Sequence, residues 1–260
     1  MPAALAQDVS LLLPTPDGVE LAVTFRPSDG DSVVVLSHGF LSDRHAGGRF
    51  DRLADEYAAL GHAVLRYDFS GFGQSGGDVV DGDHLLTDLR TVLDHLDGLG
   101  YTRQVLHGQS LGSAVSLRVA PERPAVRTLV LTGALTGAGS ADVPYPFLTP
   151  DQVAAWYRDE DVHLGEAGRT VTVNRRRPKV NATGTQEGLL SALTVPVLVV
   201  HGDTGASEQA LRAITEAGRH WLPAGSAVEV VAGSEHTFIE HQDEVAALAT
   251  SWVRRHVPVE

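Results

Sequence analysis

Short, mainly apolar runs recur along the chain, and longer stretches with helical spacing separate them. Six such runs are rich in β-branched and aliphatic residues: 32–38, 62–68, 104–108, 126–133, 195–202 and 227–233. Strands of this composition leave no face for water and are typical of a parallel sheet covered on both sides. The regular alternation predicts an α/β fold, a mostly parallel twisted sheet with helices on both faces.

The first residues follow a different pattern, because their apolar and polar positions alternate. "VSLLL" and "VELAVTF" are separated by "PTPDG", whose Pro and Asp-Gly favour a turn. We therefore predict an opening β-hairpin, which brings the sheet to about eight strands.

One interval, residues 138–192, interrupts the rhythm of strands and helices. It is too long for an ordinary connection between two strands, and loops of this length are usually lids or binding segments. We expect residues 1–137 and 193–260 to form the core, and 138–192 to form a lid over the carboxyl edge of the sheet, where open α/β folds bind ligands. Four aromatic residues of the lid are expected to line an apolar substrate pocket, unless they only pack the lid onto the core: Tyr145, Phe147, Trp156 and Tyr157.

A single serine stands between two glycines at "GQSLG", residues 108–112, after a predicted strand and before a predicted helix. At such a turn the backbone of Ser110 is strained, and the residues two positions away must lack bulky side chains. The turn would present the hydroxyl at the sheet edge, where the helix N-terminus stabilises developing negative charge. The pattern also arises by chance in a chain with 27 glycines, but its strand–turn–helix position favours a nucleophile.

Two further segments fit a nucleophilic serine. "LSHGFLSD" ends an early strand, and its turn would let the amide of Phe40 donate beside that of Leu111 to an oxyanion. "GSEHTFIEH" follows the last strand and places His236 where a general base is expected. The histidines at other strand ends, His38, His107 and His201, are interpreted as structural.

Together with "YDFSGFGQSGG", these motifs make the chain resemble the α/β-hydrolase superfamily along nearly its whole length. Within it, the motifs look closest to cinnamoyl (feruloyl) esterase-like serine hydrolases. The resemblance implies Ser110 as nucleophile, His236 as base, Phe40 and Leu111 as oxyanion donors, and a lid inserted after the sixth strand.

The third member of a catalytic triad is missing from its usual place. In the resembling families it ends an H-G-x-x-D segment, but this chain reads "HGDTGASEQ" and has Gly205 at that position. The loop is about three residues short, so we favour Asp203. Glu208 and Asp142 are alternatives, and a fourth possibility is that no carboxylate serves.

Composition excludes several classes of function. A formal charge of −13 disfavours nucleic-acid and anionic-membrane binding, and no apolar run reaches the ~20 residues of a membrane span. The chain has no cysteine and no histidine pair with metal-binding spacing, so we expect neither a cofactor nor a metal. We expect no signal peptide and a cytoplasmic protein.

The leading hypothesis is a serine hydrolase that cleaves an ester or thioester of a small to medium substrate. The missing acid motivates an alternative, a lyase or acyltransferase of a biosynthetic pathway that would, for example, eliminate acetate from an acylated intermediate. A binding protein without catalysis is the third hypothesis. The cluster Arg175–Arg177 with Lys179 would suit an acyl carrier, but we favour a solvated turn, because three consecutive arginines cannot all face one pocket.

Overall fold

In a computed structural model of the chain, the residues described are 7–137, 148–158, 160–166, 169–173 and 184–259. Eight strands form one sheet, with the bounds β1 Val9–Pro14, β2 Glu20–Arg26, β3 Ser32–Ser37, β4 Ala63–Tyr67, β6 Arg103–Gln109, β7 Val126–Thr132, β10 Val197–Gly202 and β11 Ala227–Val231. Their spatial order in the sheet is β1-β2-β4-β3-β6-β7-β10-β11.

The first hairpin is antiparallel, and β2 pairs with β4 in the same sense. Every other pair in the sheet is parallel. The predicted eight-stranded, mostly parallel sheet with an opening hairpin is therefore confirmed.

Helices cover both faces of this sheet. One face packs against α1 (Arg49–Ala59) and α7 (Gln242–His256), and the other packs against α2 (Gly82–Gly98) and α3 (Leu111–Val119). Successive residues of β3 point into the two cores in turn: Val33 and Val35 into one, Val34 and Leu36 into the other. All four are fully buried, which is why these strands have no polar alternation.

The interval 138–192 contains two helices and two strands within its described residues. They are α4 Pro150–Tyr157, β8 Val162–Glu166, β9 Arg169–Val173 and α5 Gln186–Ser191. Strand β9 also pairs with β5, Val79–Val80, giving a second sheet in the order β5-β9-β8. The interval is thus tied to the segment that follows the glycine-rich turn at 70–77, while its function as a lid stays a prediction.

A small apolar cluster of its own holds the interval together. Trp156 is almost fully buried in it, and Phe40 and Leu41 pack against it from the turn after β3. The remaining members of the cluster are Leu148, Val162, Leu164 and Val173. Trp156 therefore joins the interval to the turn that carries Phe40.

The spacing of Arg66 and Asp68 in the sequence predicts an ion pair between them, but the buried arginines Arg44 and Arg66 bind other carboxylates than this spacing predicts. Asp68 instead accepts hydrogen bonds from the backbone and guanidinium of Arg44, at 2.6 and 2.5 Å. Arg66 contacts Asp8 and Asp51. Asp68 lies just past the end of β4, so its side chain does not follow that of Arg66 along the strand.

Candidate active site

Ser110 occupies a strained turn between β6 and α3. Its backbone has φ 50° and ψ −111°, a conformation that few side-chain-bearing residues adopt and that costs on the order of 1–3 kcal/mol. The turn is held on both sides, because the Ser110 N–H donates to Thr132 O at 2.9 Å and Ser113 Oγ donates to Ser110 O at 2.5 Å. The rigid flanking elements thus keep the hydroxyl in place.

The two glycines of the motif are required by space. A Cβ at Gly108 would lie 2.5 Å from the Gly112 carbonyl carbon, and one at Gly112 would lie 2.6 Å from the Ser37 carbonyl carbon. Both distances are far below a normal contact. The steric reason for the Gly-x-Ser-x-Gly pattern is therefore visible at both positions.

His236 lies in the loop after β11 and faces Ser110. Its Nε2 is 3.0 Å from Ser110 Oγ, a hydrogen bond that links residues 126 positions apart in the chain. Gly133, just beyond β7, lies against the imidazole, since a Cβ there would come within 2.8 Å of Cε1. The side chain of His236 is one-third exposed, so a substrate can reach it. The predicted nucleophile and base are in direct contact.

The carboxylate next to His236 belongs to Glu208. Glu208 Oε2 lies 2.5 Å from His236 Nδ1, which donates the hydrogen bond. Glu208 is the third residue of α6, Ala206–Gly218, and this helix begins immediately after Gly205, whose φ is +76°. The early start of the helix turns Glu208 inward, and 1% of its side chain is exposed.

The prediction of Asp203 as the partner of His236 is wrong. Asp203 Oδ1 accepts the N–H of Gly233 at 2.7 Å and holds the loop after β10 to the loop after β11. This is the turn-capping role that Asp side chains often have. Asp142, the other alternative, lies outside the described residues.

Glu208 is held as an anion by its hydrogen bonds. Burial alone would raise the pKa of this carboxyl, but hydrogen bonds from His201 and His236 lower it to about 2. The N–H of Gly202 also donates to Oε1, at 3.1 Å. Glu208 is therefore ionised at neutral pH and able to fix the tautomer of His236.

The turn predicted to bind an oxyanion runs beside Ser110. A Cβ at Gly39 would lie 3.5 Å from Ser110 Cβ, so the backbone that leads to Phe40 passes next to the serine. Leu111 is the first residue of α3, where backbone N–H groups have no acceptor within the helix. His38 fixes this turn from behind, since its Nε2 accepts the Phe69 N–H at 3.0 Å and its Nδ1 donates to Gly39 O at 2.7 Å.

The predicted pocket residues have different positions. Trp156 is buried in the cluster described above, and Tyr157 is 62% exposed. Tyr145 and Phe147 lie outside the described residues, as does the cluster Arg175–Arg177 with Lys179. Of the four aromatic side chains, Trp156 thus has a packing role next to the Phe40 turn.

From the sequence, Glu208 is one of two alternatives to Asp203, and His201 is interpreted as purely structural. Both lie on the path from Ser110 into the protein, because His201 Nδ1 is 2.6 Å from Glu208 Oε1. The signal that pointed to Glu208 was a carboxylate in the first turn of a helix directly after the shortened loop. That signal alone also fits a charge placed to favour the helix N-terminus.

Within the described ranges, no group of three or more histidine or acidic side chains is arranged to hold a metal ion. None of the helices in that part of the chain is both long enough and apolar enough to cross a bilayer.

Comparison with known proteins shows the family to which the sequence belongs. Residues 28–159 match a hydrolase family described as serine aminopeptidase, S33. The 2-hydroxy-6-oxononadienedioate/2-hydroxy-6-oxononatrienedioate hydrolase of Burkholderia vietnamiensis is 36% identical over 147 residues, which are 55% of this chain and 50% of that protein. The chain thus spans about half the length of the first curated relatives that it matches.

Other similarities extend over nearly the whole chain. The monoacylglycerol lipase of Mycolicibacterium smegmatis is 27% identical over 270 residues, covering 88% of this chain and 90% of the lipase. The solved structure of Est1E from Butyrivibrio proteoclasticus with ferulic acid bound has a TM-score of 0.78 at 20% identity, covering 95% of this chain and 99% of that one. The chain belongs to the serine aminopeptidase, S33 family of hydrolases, within the α/β-hydrolase superfamily.

Proposed function

We propose that this hydrolase cleaves a carboxylic ester or thioester of a small to medium substrate through an acyl-enzyme on Ser110. The observation that carries the proposal is the contact chain from Ser110 Oγ to His236 Nε2, at 3.0 Å, and from His236 Nδ1 to Glu208, at 2.5 Å. This is the order of nucleophile, base and carboxylate that acyl transfer requires.

In the first half-reaction, Ser110 Oγ attacks the substrate carbonyl while His236 Nε2 takes the hydroxyl proton. The carbonyl oxygen becomes negative and accepts hydrogen bonds from the N–H groups of Phe40 and Leu111. Each such donor is worth roughly 3–4 kcal/mol in the transition state. The imidazolium then gives its proton to the leaving alcohol or thiol, and the acyl group stays on Ser110.

In the second half-reaction, His236 removes a proton from a water molecule that attacks the acyl-enzyme. The acid is released, and Ser110 regains its proton. Glu208 stays ionised throughout and stabilises the imidazolium that forms in each half. No cofactor or metal takes part in these steps.

The reason to consider a lyase or acyltransferase is the absence of a carboxylate from its usual position in the sequence. Glu208 supplies that carboxylate from the first turn of α6, so this motive no longer applies. A second candidate is hydrolysis of an oxo-dioate, which the 36% identity to the Burkholderia vietnamiensis hydrolase favours.

The proposal is tested with a panel of substrates in water labelled with ¹⁸O. The panel contains p-nitrophenyl esters of increasing acyl length, a monoacylglycerol, methyl ferulate, an acyl thioester and an oxo-dioate. We expect turnover of at least one ester or thioester, one ¹⁸O atom in each released acid, and no turnover by Ser110→Ala. Turnover of the oxo-dioate alone would favour the second candidate. The proposal is wrong if no ester or thioester reacts, or if product forms without ¹⁸O.

A further inference from the structure

A continuous chain of hydrogen bonds runs from His236 into the interior of the protein. Beyond Glu208, His201 Nδ1 lies 2.6 Å from Glu208 Oε1, and His201 Nε2 lies 2.8 Å from Thr215 Oγ1. Thr215 Oγ1 in turn lies 2.8 Å from Thr136 Oγ1. His201 and Thr215 are fully buried, and Thr136 is 1% exposed.

The direction of each hydrogen bond follows from the carboxylate at one end. Glu208 is ionised and only accepts, so His201 Nδ1 carries the proton and donates to it. His201 Nε2 is then an acceptor and receives the hydroxyl proton of Thr215, which accepts that of Thr136. Every donor thus points toward Glu208, and each bond polarises the next in the same sense.

Glu208 needs such support more than an aspartate in a loop would. Its side chain has one more rotatable bond, and it reaches His236 from the first turn of a helix. Oxygen Oε1 is occupied by His201 and the Gly202 N–H, which leaves Oε2 directed at His236. The strand position of His201, at the end of β10 beside Gly202, makes this anchoring rigid.

We propose that His201 is a positioning residue: it fixes Glu208 Oε2 on His236 and, by sharing the carboxylate, sets how strongly His236 binds a proton. The proposal rests on the proposed function for its catalytic meaning. It adds a second imidazole, that of His201, and the hydroxyls of Thr215 and Thr136 to the groups that support the Ser110–His236–Glu208 contacts.

Few other charged groups lie near the hydrogen bonds that run from His236 to Thr136. The titratable groups that act on Glu208 are the imidazoles of His201 and His236. The loops that flank the chain carry Asp203, bound to the Gly233 N–H, and the exposed Glu235. The segment after β7 contributes the uncharged Thr136 and Gly133. A change at His201 therefore reaches His236 mainly through Glu208.

The test compares His201→Leu, which removes the donor, with His201→Asn, whose amide nitrogen retains one near the Nδ1 position. The readout is the pKa of His236 in the free protein, followed by NMR titration of its imidazole and assigned with His236→Ala. Loss of the donor leaves the full carboxylate charge to His236, so we expect its pKa to rise by about one unit in His201→Leu. In His201→Asn the pKa should stay near the wild-type value.

Thr215→Val is the second variant, because it removes one hydroxyl and keeps the shape of a buried side chain. We expect a smaller rise in the pKa of His236 than in His201→Leu. If His201→Leu does not fold, Thr215→Val alone tests the proposal. An unchanged pKa in folded His201→Leu, or in Thr215→Val when His201→Leu is unfolded, would overturn the proposal. So would equal pKa changes in His201→Leu and His201→Asn.

The titration needs no substrate, so it is independent of the proposed function. If the pKa values shift as expected but no ester or thioester is hydrolysed, the positioning role holds and the proposed function fails. If esters are hydrolysed, the acid limb of the pH profile of kcat/KM should move with the pKa of His236. If esters are hydrolysed but the pKa of His236 does not change in the variants, the proposed function holds and the positioning role fails.

Discussion

Glu208 Oε2 lies 2.5 Å from His236 Nδ1, although Glu208 belongs to the first turn of a helix rather than to the loop before it. The shortened loop after β10 brings the start of α6 to the edge of the sheet. The carboxylate is thereby supplied by a different element than in the H-G-x-x-D pattern. The contact with His236 is kept by a longer side chain, which is held by two imidazoles and the Gly202 N–H.

The close approach of α3 to β3 predicts that Gly112→Ala destabilises the protein. The added Cβ would lie 2.6 Å from the Ser37 carbonyl carbon and 2.9 Å from His38 O, and both are backbone atoms that cannot turn aside. We expect the free energy of unfolding to fall by about 1–3 kcal/mol or more, measured by urea denaturation.

Gly98→Ala is the matched control, because a Cβ at that helical position meets nothing within 4 Å. Its stability should stay the same or rise by up to about 1 kcal/mol. Equal stability of Gly112→Ala and the wild type would show that the helix and strand can separate without cost.

The buried carboxyl of Asp88 predicts a pH dependence of stability. Burial raises its pKa from 3.8 to about 7, even though Ser70 donates two hydrogen bonds to it, each 2.7 Å long. The folded state therefore holds a proton that the unfolded state releases near pH 4. The contribution of Asp88 should therefore lower the free energy of unfolding by on the order of 4 kcal/mol as the pH rises from about 4 to about 7. Above about pH 7 the contribution of Asp88 should not change further.

Asp88→Asn removes this titration. The difference in free energy of unfolding, variant minus wild type, should increase between pH 4.5 and pH 7.5 when measured by denaturant unfolding at each pH. A difference that does not change with pH would mean that Asp88 has an ordinary pKa in the folded protein.

The ion pair of Arg44 and Asp68 predicts a large loss of stability in Arg44→Met. Asp68 is fully buried, and Arg44 is the cation bound to it, with Nη1 2.5 Å from Oδ2. Without the guanidinium, the carboxylate keeps only backbone donors. We expect a loss of about 3–5 kcal/mol in chemical denaturation.

Arg90→Met provides the comparison, because Arg90 binds Glu122 at the surface. Its effect should stay below about 1 kcal/mol. Similar losses in the two variants would contradict the distinction between the buried and the exposed pair.

The sequence predicted the sheet, both of its covered faces and the strained turn at Ser110, because each rests on a local pattern with a steric cause. Strands that are apolar on both faces require a layer of helices on each side of the sheet, and a serine in a strained turn requires flanking glycines. The pairing of Ser110 with His236 followed from the position of His236 after the last strand and from the resemblance to α/β-hydrolases. Asp203 and Glu208 could not be ranked in this way. The start of α6 and its rotation decide which carboxylate points inward, and helix starts are not fixed to one residue by periodicity.

The partners in the buried ion pairs also could not be predicted from the sequence. Arg66 and Asp68 are near neighbours in the chain, but Asp68 lies past the end of β4 and meets Arg44 instead. Glu208 is the partner of both His201 and His236, so both contacts depended on where α6 begins. The partners of Arg44, Arg66 and His201 thus required the packed structure, while the strands and helices themselves did not.

The measurement that tests the triad most directly is the rate at which a fluorophosphonate labels Ser110, followed by intact mass. Wild type should take up one label and Ser110→Ala none. Glu208→Gln should slow labelling by on the order of 10⁴-fold, as expected when the carboxylate that orients a catalytic imidazole is lost. Asp203→Asn, which retains the acceptor for the Gly233 N–H, should label at close to the wild-type rate. Rapid labelling of Glu208→Gln together with slow labelling of Asp203→Asn would contradict the assignment of Glu208 as the triad acid.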